Sequence, residues 1–226
     1  MRKSPPASED ASRRRVLLVD GMEVFRAGLA QVLASLCQLL VCASTGDFDE
    51  VPNLIERHRP HVMIVEPFRK NGDGLFWIKD MRGRYPETKI LVASLNPEGT
   101  YAERILRAGA SGYWMKDGSP EKLCEAIEAV LNGEIWVSPR VGIQAIEKLI
   151  NGFRRNGDSL VELTDRELAV FAFIAAEHGT GRIAKELGIS RKTVETHYAH
   201  IKEKLGYYNA VALRRGARES LGKACN

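Results

Sequence analysis

Downstream of Arg14, short aliphatic and β-branched runs recur between longer stretches of mixed polarity: VLLVD at 16–20, QLLVCAS at 38–44, HVMIVE at 61–66, KILVASL at 89–95 and GYWMK at 112–116. Their near-continuous apolar character predicts five strands buried on both faces. The intervening segments, 22–35, 47–58, 74–84, 98–108 and 120–132, read as helices. Ser119 and Pro120 supply an N-cap and a first-turn proline to the last of them. Strands alternating with helices predict an α/β fold, a doubly wound five-stranded parallel sheet. Ligands of such sheets sit at the carboxyl ends of the strands, which singles out Asp20, Glu66, Ser94 and Lys116.

Further along, the strand pattern stops and only helical patterns follow. A helix is expected at about 141–153, then the polar, Gly-containing segment RRNGDS. Thr164-Asp165-Arg166-Glu167 has the form of a capping box and opens an amphipathic helix to about Glu177. A short helix is expected at 181–187, a turn at Gly188, a longer helix capped by Ser190 and ending near Leu205, and a last helix at 209–220. The expected division is a flexible tail at 1–14, an α/β domain at 15–137, a linker with a helix at 138–160 and a small all-α domain at 161–226.

Composition narrows the class. With 44% hydrophobic residues among 226, the chain has enough apolar content for two ordinary domains. No apolar run approaches the roughly 20 residues of a membrane span, and the N-terminal MRKSPPASEDASRRR is followed by no export segment, so the expectation is a cytoplasmic protein with no membrane partner. Cys37, Cys42, Cys124 and Cys225 form no CxxC pair and no zinc spacing, so neither a metal site nor a disulfide framework is expected. The net charge of +4 is concentrated at the end: residues 161–226 carry 11 Lys or Arg against 8 Asp or Glu. That surplus is compatible with nucleic acid.

On the long C-terminal helix, Val194, Tyr198, Ile201 and Leu205 form an apolar stripe, while Lys192, Thr196, Ala199 and Glu203 lie opposite, flanked by Glu195 and His200. Short helix, Gly turn and longer helix is the order of a helix-turn-helix, and the polar face is small enough to enter a major groove. The segment LTDRELAVFAFIAAEHGTGRIAKELGISRKTVETHYAHIKEKLG resembles the LuxR-type helix-turn-helix, including Leu163, Thr164, Arg166, Glu167, Ile183, Ala184, Leu187, Ser190, Lys192, Thr193, Val194, Thr196, His197, Lys204, Leu205 and Gly206. The resemblance implies double-stranded DNA as partner, with Glu195, Thr196 and Ala199 toward base edges. Lys192, Thr193, His197, His200 and Lys204 complete the implied contact set, chiefly on the phosphate backbone.

The N-terminal half resembles a response-regulator receiver domain, of flavodoxin-like architecture, and the whole chain is similar to the NarL/FixJ family. The resemblance implies a phosphoacceptor pocket in which Asp20 keeps the first acid, Ser94 the hydroxyl, Lys116 the ammonium and Tyr113 the switch aromatic. Two positions depart from it. Gly21 stands where the second metal-binding acid belongs, and Glu66 stands where the acceptor aspartate belongs, judged by the spacing to Asp73-Gly74-Leu75. A carboxylate displaced by one methylene misses in-line attack, and displacement of about 1 Å costs on the order of a hundredfold in rate. The receiver is therefore expected to be atypical, not activated by aspartyl phosphate and without a resident metal or cofactor. Glu66 then either imitates part of the active state by bringing its charge to Ser94 and Lys116, or serves simply as an ion-pair partner of Lys116.

The family implies a homodimer, and Val211 and Leu213 of the last helix are candidate contacts. A regulatory protein or a small ligand at the receiver is a further candidate partner. Two other classes compete with this reading: an adaptor that modulates another regulator without binding DNA, and an enzyme using Asp20 and Glu66 as a carboxylate pair, for which the sequence carries no accompanying catalytic motif.

Overall fold

The computed structural model of the chain describes residues 13–68, 74–151 and 159–221. The tail before Arg13, Asp73, residues 152–158 of the expected linker and Cys225 lie outside the described residues. Five strands, β1 (Arg15–Val19), β2 (Leu40–Thr45), β3 (Val62–Val65), β4 (Lys89–Ser94) and β5 (Gly112–Met115), pair in parallel in the order β2-β1-β3-β4-β5. Between and after them come α1 (Glu23–Ser35), α2 (Val51–His58), α3 (Gly74–Arg84), α4 (Glu98–Arg107) and α5 (Pro120–Leu131).

Strand alternation sends apolar side chains to both faces. Leu17, Val19, Met63, Val65, Ile90, Val92 and Tyr113 pack with Val51 and Ile55 of α2, Ile78 and Met81 of α3 and Ile105 of α4. Val16, Leu18, Val62, Ile64, Leu91, Ala93 and Trp114 pack with Leu29 and Leu33 of α1 and Leu123, Ile127 and Val130 of α5. Each buried Val, Leu, Ile or Met side chain among them contributes roughly 1.5–3 kcal/mol. The α/β expectation thus holds, and Ser119 caps α5 by accepting from the Lys122 amide.

The second half is helical: α6 (Pro139–Asn151), a 3-10 turn (Ser159–Glu162), α7 (Asp165–Ala175), α8 (Thr180–Glu186), α9 (Arg191–Leu205) and α10 (Ala210–Leu221). Thr164 and Glu167 form the reciprocal capping box of α7, and Ser190 caps α9 by accepting from the Thr193 amide. Gly188 and Gly206 adopt φ of +63° and +71° at the ends of α8 and α9, positions a side chain would strain. Helix α7 stops at Ala175, two residues short of the expected end. Val194, Tyr198 and Ile201 are buried as their period predicts.

Two expectations are corrected. Cys37 and Cys124 are joined by a disulfide with a Cα–Cα distance of 5.5 Å. Their separation of 87 residues conceals it, because only the fold brings the end of α1 beside α5. Leu213 is fully buried against the C-terminal core and offers no contact surface, whereas Val211 is 73% and Tyr208 is 84% exposed. Among the described residues, no helix is long and apolar enough to cross a membrane.

Strand β5 is held from outside the sheet by the chain after α5. Tyr113 N–H donates to Trp136 O at 2.9 Å, and Trp136 N–H to Ser111 O at 3.0 Å. A Cβ at Gly112 would lie 2.9 Å from Trp136 O and 3.1 Å from a Leu91 methyl. Gly112→Ala should therefore destabilise the chain by about 1–3 kcal/mol in thermal unfolding, as overpacking of a filled site does; an unchanged melting temperature would show that the 136 segment moves away freely.

Candidate functional site

The carboxyl ends of β1, β3, β4 and β5 bring Asp20, Glu66, Ser94 and Lys116 together, as the strand-end rule predicts. Lys116 lies between the two acids, with Nζ 2.5 Å from Asp20 Oδ2 and 3.2 Å from Glu66 Oε2, and its side chain is almost fully buried. The Phe25 ring of α1 lies 4.5 Å from the same Nζ. Asp20 is fixed a second time by the Met22 amide, which donates to Oδ1 at 2.7 Å. Arg26 of α1 donates to the Asp20 carbonyl. The Phe68 amide donates to Glu66 Oε1 at 3.3 Å.

Burial raises the Glu66 carboxyl above its ordinary range, against the lowering pull of Lys116, of the Ser94 hydroxyl and of the Phe68 amide. Ser94 is fully buried, and its hydroxyl is within hydrogen-bond reach of both Glu66 and the Tyr113 oxygen. The Tyr113 ring is also buried, and its hydroxyl donates to Asn96 O at 2.8 Å. Burial pushes the Tyr113 phenol well up. A continuous set of contacts thus runs from Lys116 through Glu66 and Ser94 to the loop before α4.

This donor set does not fit a divalent cation. Gly21 offers no side chain, and both remaining acids turn an oxygen onto Lys116. Among the described residues, no group of three His, Cys, Asp or Glu could hold a metal. The space lined by Asp20, Phe25, Arg26 and Glu66 is about 10 Å³, the room of one water molecule.

On the other side of Asn96, α4 joins the two halves of the chain. Arg104 donates to Asp165 Oδ1 at 2.8 Å, to Leu160 O at 3.1 Å and to Leu163 O. Arg166 lies 5.8 Å from the Phe76 ring of α3, and the buried Glu98 carboxylate accepts from the Ser138 amide at 2.6 Å. Leu163, Asp165 and Arg166 belong to the C-terminal motif, but nothing in the sequence marks their role at this junction. Glu98 and Arg104 follow no motif, and their partners lie 40 and 56 to 61 residues away.

Helix α9 packs on α7, α8, α10 and the 3-10 turn, and its opposite face is free of these elements. Lys192, Thr193, Glu195, Thr196, Ala199 and His200 are exposed, and His197 is half-buried. Desolvation, together with Arg166 and His200 and against Glu167, lowers the His197 imidazole. Two members of the set also face Glu167, a nearly buried carboxylate that caps α7: Lys204 Nζ lies 2.6 Å from Oε2, and His200 Nδ1 lies 3.7 Å from Oε1. Burial raises that carboxyl, but the bonds from Lys204 and Thr164 prevail and hold it below the ordinary range. The ammonium of Lys204 is therefore already engaged.

A receiver-type sheet with a strand-end charge cluster, followed by a helix-turn-helix with an exposed second helix, defines a response regulator. Residues 16–128 match the family described as "Response regulator receiver domain", and residues 161–217 match "Bacterial regulatory proteins, luxR family". The chain belongs to the NarL/FixJ family of response regulators, which are transcription regulators with a LuxR-type DNA-binding domain. The Oxygen regulatory protein NreC of Staphylococcus haemolyticus (strain JCSC1435) is 30% identical over 196 residues, covering 84% of this chain and 90% of that one. The Transcriptional regulatory protein DegU of Brevibacillus brevis is 28% identical over 205 residues, covering 84% and 87%. RcsB from Salmonella enterica serovar Typhimurium, solved bound to promoter P1flhDC in the presence of phosphomimetic BeF3-, shares the fold with a TM-score of 0.73. That pair is 23% identical, covering 92% of this chain and 100% of that one.

The raised carboxyl of Glu66 carries a sign that can be measured. A native value above the ordinary 4.5 means that ionising Glu66 costs the fold stability as pH rises out of the acid range, and that protonation on acidification restores it. Glu66→Gln, which cannot ionise, escapes that cost. Its melting temperature relative to the unmodified chain should therefore rise between pH 4.5 and neutrality and then level off. A difference that falls over the same range would mean that the Lys116 pair outweighs burial.

Proposed function

We propose that this chain is a sequence-specific regulator that binds duplex DNA as a dimer through α9 and receives its input by a route other than aspartyl phosphate. The observation that carries the first half is the outward face of α9. Lys192, Thr193, Glu195, Thr196, Ala199, His197 and His200 lie along a helix whose other side is anchored in the core, while the domain contacts run through α7 and the 3-10 turn. Such a face can enter a major groove as it stands. Glu195 can accept from a cytosine amino group and Thr196 can meet a thymine methyl, with Lys192 and the histidines near phosphates. DNA places the protein in the cytoplasm. Residues 15–137 act as receiver, 138–160 as linker and 161–226 as DNA-binding domain.

The second half rests on Gly21 and on the geometry of Glu66. Phosphoryl transfer to a carboxylate needs an oxygen in line with phosphorus and a cation that offsets the charge on the transferring group. Here the longer arm of Glu66 carries its oxygen to Lys116, 3.2 Å away, and the second acid is missing. Glu66 supplies in permanent form a negative charge between Ser94 and Lys116, which a phosphoryl group would supply transiently in a receiver with an acceptor aspartate.

Selection from random duplex DNA by the full chain should yield an inverted repeat whose half-sites lie about one helical turn apart, with affinity that falls steeply with salt. Lys192→Ala should weaken binding several-fold on all sequences and reduce the salt slope by about 1, whereas Thr196→Ala should change preference at one or two base positions. Lys204→Ala should instead destabilise the fold by about 1–2 kcal/mol by stripping the buried Glu167 of its ion pair. No affinity for any duplex at low salt would overturn the reading.

Acetyl phosphate with Mg²⁺ should leave the intact mass and the DNA affinity unchanged. Glu66→Asp combined with Gly21→Asp should recover more phosphoryl uptake than either substitution alone. A phosphoryl adduct on Glu66 of the unmodified chain, seen by mass spectrometry, would sink this part of the proposal.

A further inference from the structure

The Cys37–Cys124 disulfide ties α1 to α5, the two helices that leave the charge cluster. Helix α1 starts three residues after Asp20 and carries Phe25 against Lys116. Helix α5 starts four residues after Lys116. Asp20 and Lys116 are themselves joined at 2.5 Å, so the two helices are closed into a ring, by an ion pair at one junction and by a covalent bond at the other. Between those junctions they share the apolar residues Leu29, Leu33 and Leu123 of one buried layer.

Both sulfur-bearing residues are half-buried. They line an open groove of about 410 Å³ with Leu36, Leu39, Ile127 and the charged Arg14 and Glu128. A small dithiol can therefore approach the bond from solution. The free thiol Cys42 lies on β2 and does not line the groove. On the reading that this chain works on DNA in the cytoplasm, it lives among reducing thiols, where a disulfide that forms is typically transient and redox-sensing rather than a permanent staple.

We infer that Cys37 and Cys124 form a site of reversible thiol–disulfide exchange with a dithiol reductant, and that its redox state sets how firmly the Asp20–Lys116 cluster is held. In reduction, one thiolate of the dithiol attacks a sulfur of the pair, forming a mixed disulfide and expelling the other sulfur as a thiolate that takes up a proton. The second thiol then closes on the mixed disulfide and releases the remaining protein thiol. Two electrons and two protons pass to Cys37 and Cys124, and the dithiol leaves oxidised. The reduced ring keeps its ion pair but loses its covalent junction, so α1 and the segment from β5 into α5 open more often.

The test uses the full chain equilibrated in oxidised and reduced dithiothreitol. Iodoacetamide labelling with intact-mass detection should count two thiols in the oxidised form and all four cysteines in the reduced form, with return to two on reoxidation. Amide hydrogen exchange should be roughly five-fold or more faster in the reduced form across 23–37 and 112–124, with α9 unchanged. Reduction should lower the receiver melting temperature by on the order of 10 °C. Cys37→Ser and Cys124→Ser should each show three labelled thiols and the reduced exchange and melting behaviour in both buffers, and reduction of the unmodified chain provides the same comparison should either variant fold poorly. Four labelled thiols in the oxidised buffer, a bond that dithiothreitol does not reduce, or equal exchange of 23–37 and 112–124 in both states would overturn the inference. Absence of DNA binding in both states would strike the DNA-binding reading instead and leave the thiol count to decide this one.

Discussion

The arrangement at the strand ends depends on Lys116, a nearly buried ammonium held between Asp20 and Glu66. An unpaired buried charge is costly enough that it would be neutralised or expelled, so each of the three needs the others in place. Because they arrive from β1, β3 and β5, the cluster tests the register of the whole parallel sheet. Arg26 on the Asp20 carbonyl and the Phe25 ring beside Lys116 add the first turns of α1 to the same set. The Ser94 hydroxyl and the buried Tyr113 extend it toward Asn96 and α4.

What the sequence makes legible follows from how local each signal is. The five strands announce themselves because strands covered on both faces must be apolar almost throughout, and strand-end polar residues such as Asp20 and Lys116 then stand out against that run. The caps at Thr164, Ser190 and Ser119 are readable because a cap acts on amides two or three residues away. The outward face of α9 is readable for the same reason, as the inverse of a buried stripe.

Features that depend on distant partners were not legible. Nothing near Cys37 points to Cys124, and nothing near Arg104 points to Asp165, Leu160 or Leu163. Lys204 looks like one more cation on a basic helix until Glu167 is placed beside it. Leu213 and Val211 are two residues apart on α10, yet one is fully buried and the other 73% exposed, so proximity in sequence misassigned the inward residue as a contact. Motif resemblance names a set of candidate contacts, but it does not say which members of a charged set are already spent inside the fold.

A site that completes itself has a consequence for switching. A ligand or modification shifts an equilibrium only by the difference in its interaction with two states. In a receiver that accepts a phosphoryl group, that difference comes from a charge that arrives and leaves; in the function proposed for this chain, the Glu66 carboxylate, 3.2 Å from Lys116, holds that place instead. On that proposal, a change of state enters through contacts that can be made and broken around the cluster. The fold offers two such places: the seam between α1 and α5, closed by a half-buried disulfide, and the junction where Arg104 of α4 holds the carbonyls that lead into α7. Both abut the cluster through a helix that begins within four residues of one of its members or of its Ser94 neighbour, so loosening either end acts on the same small set of buried charges.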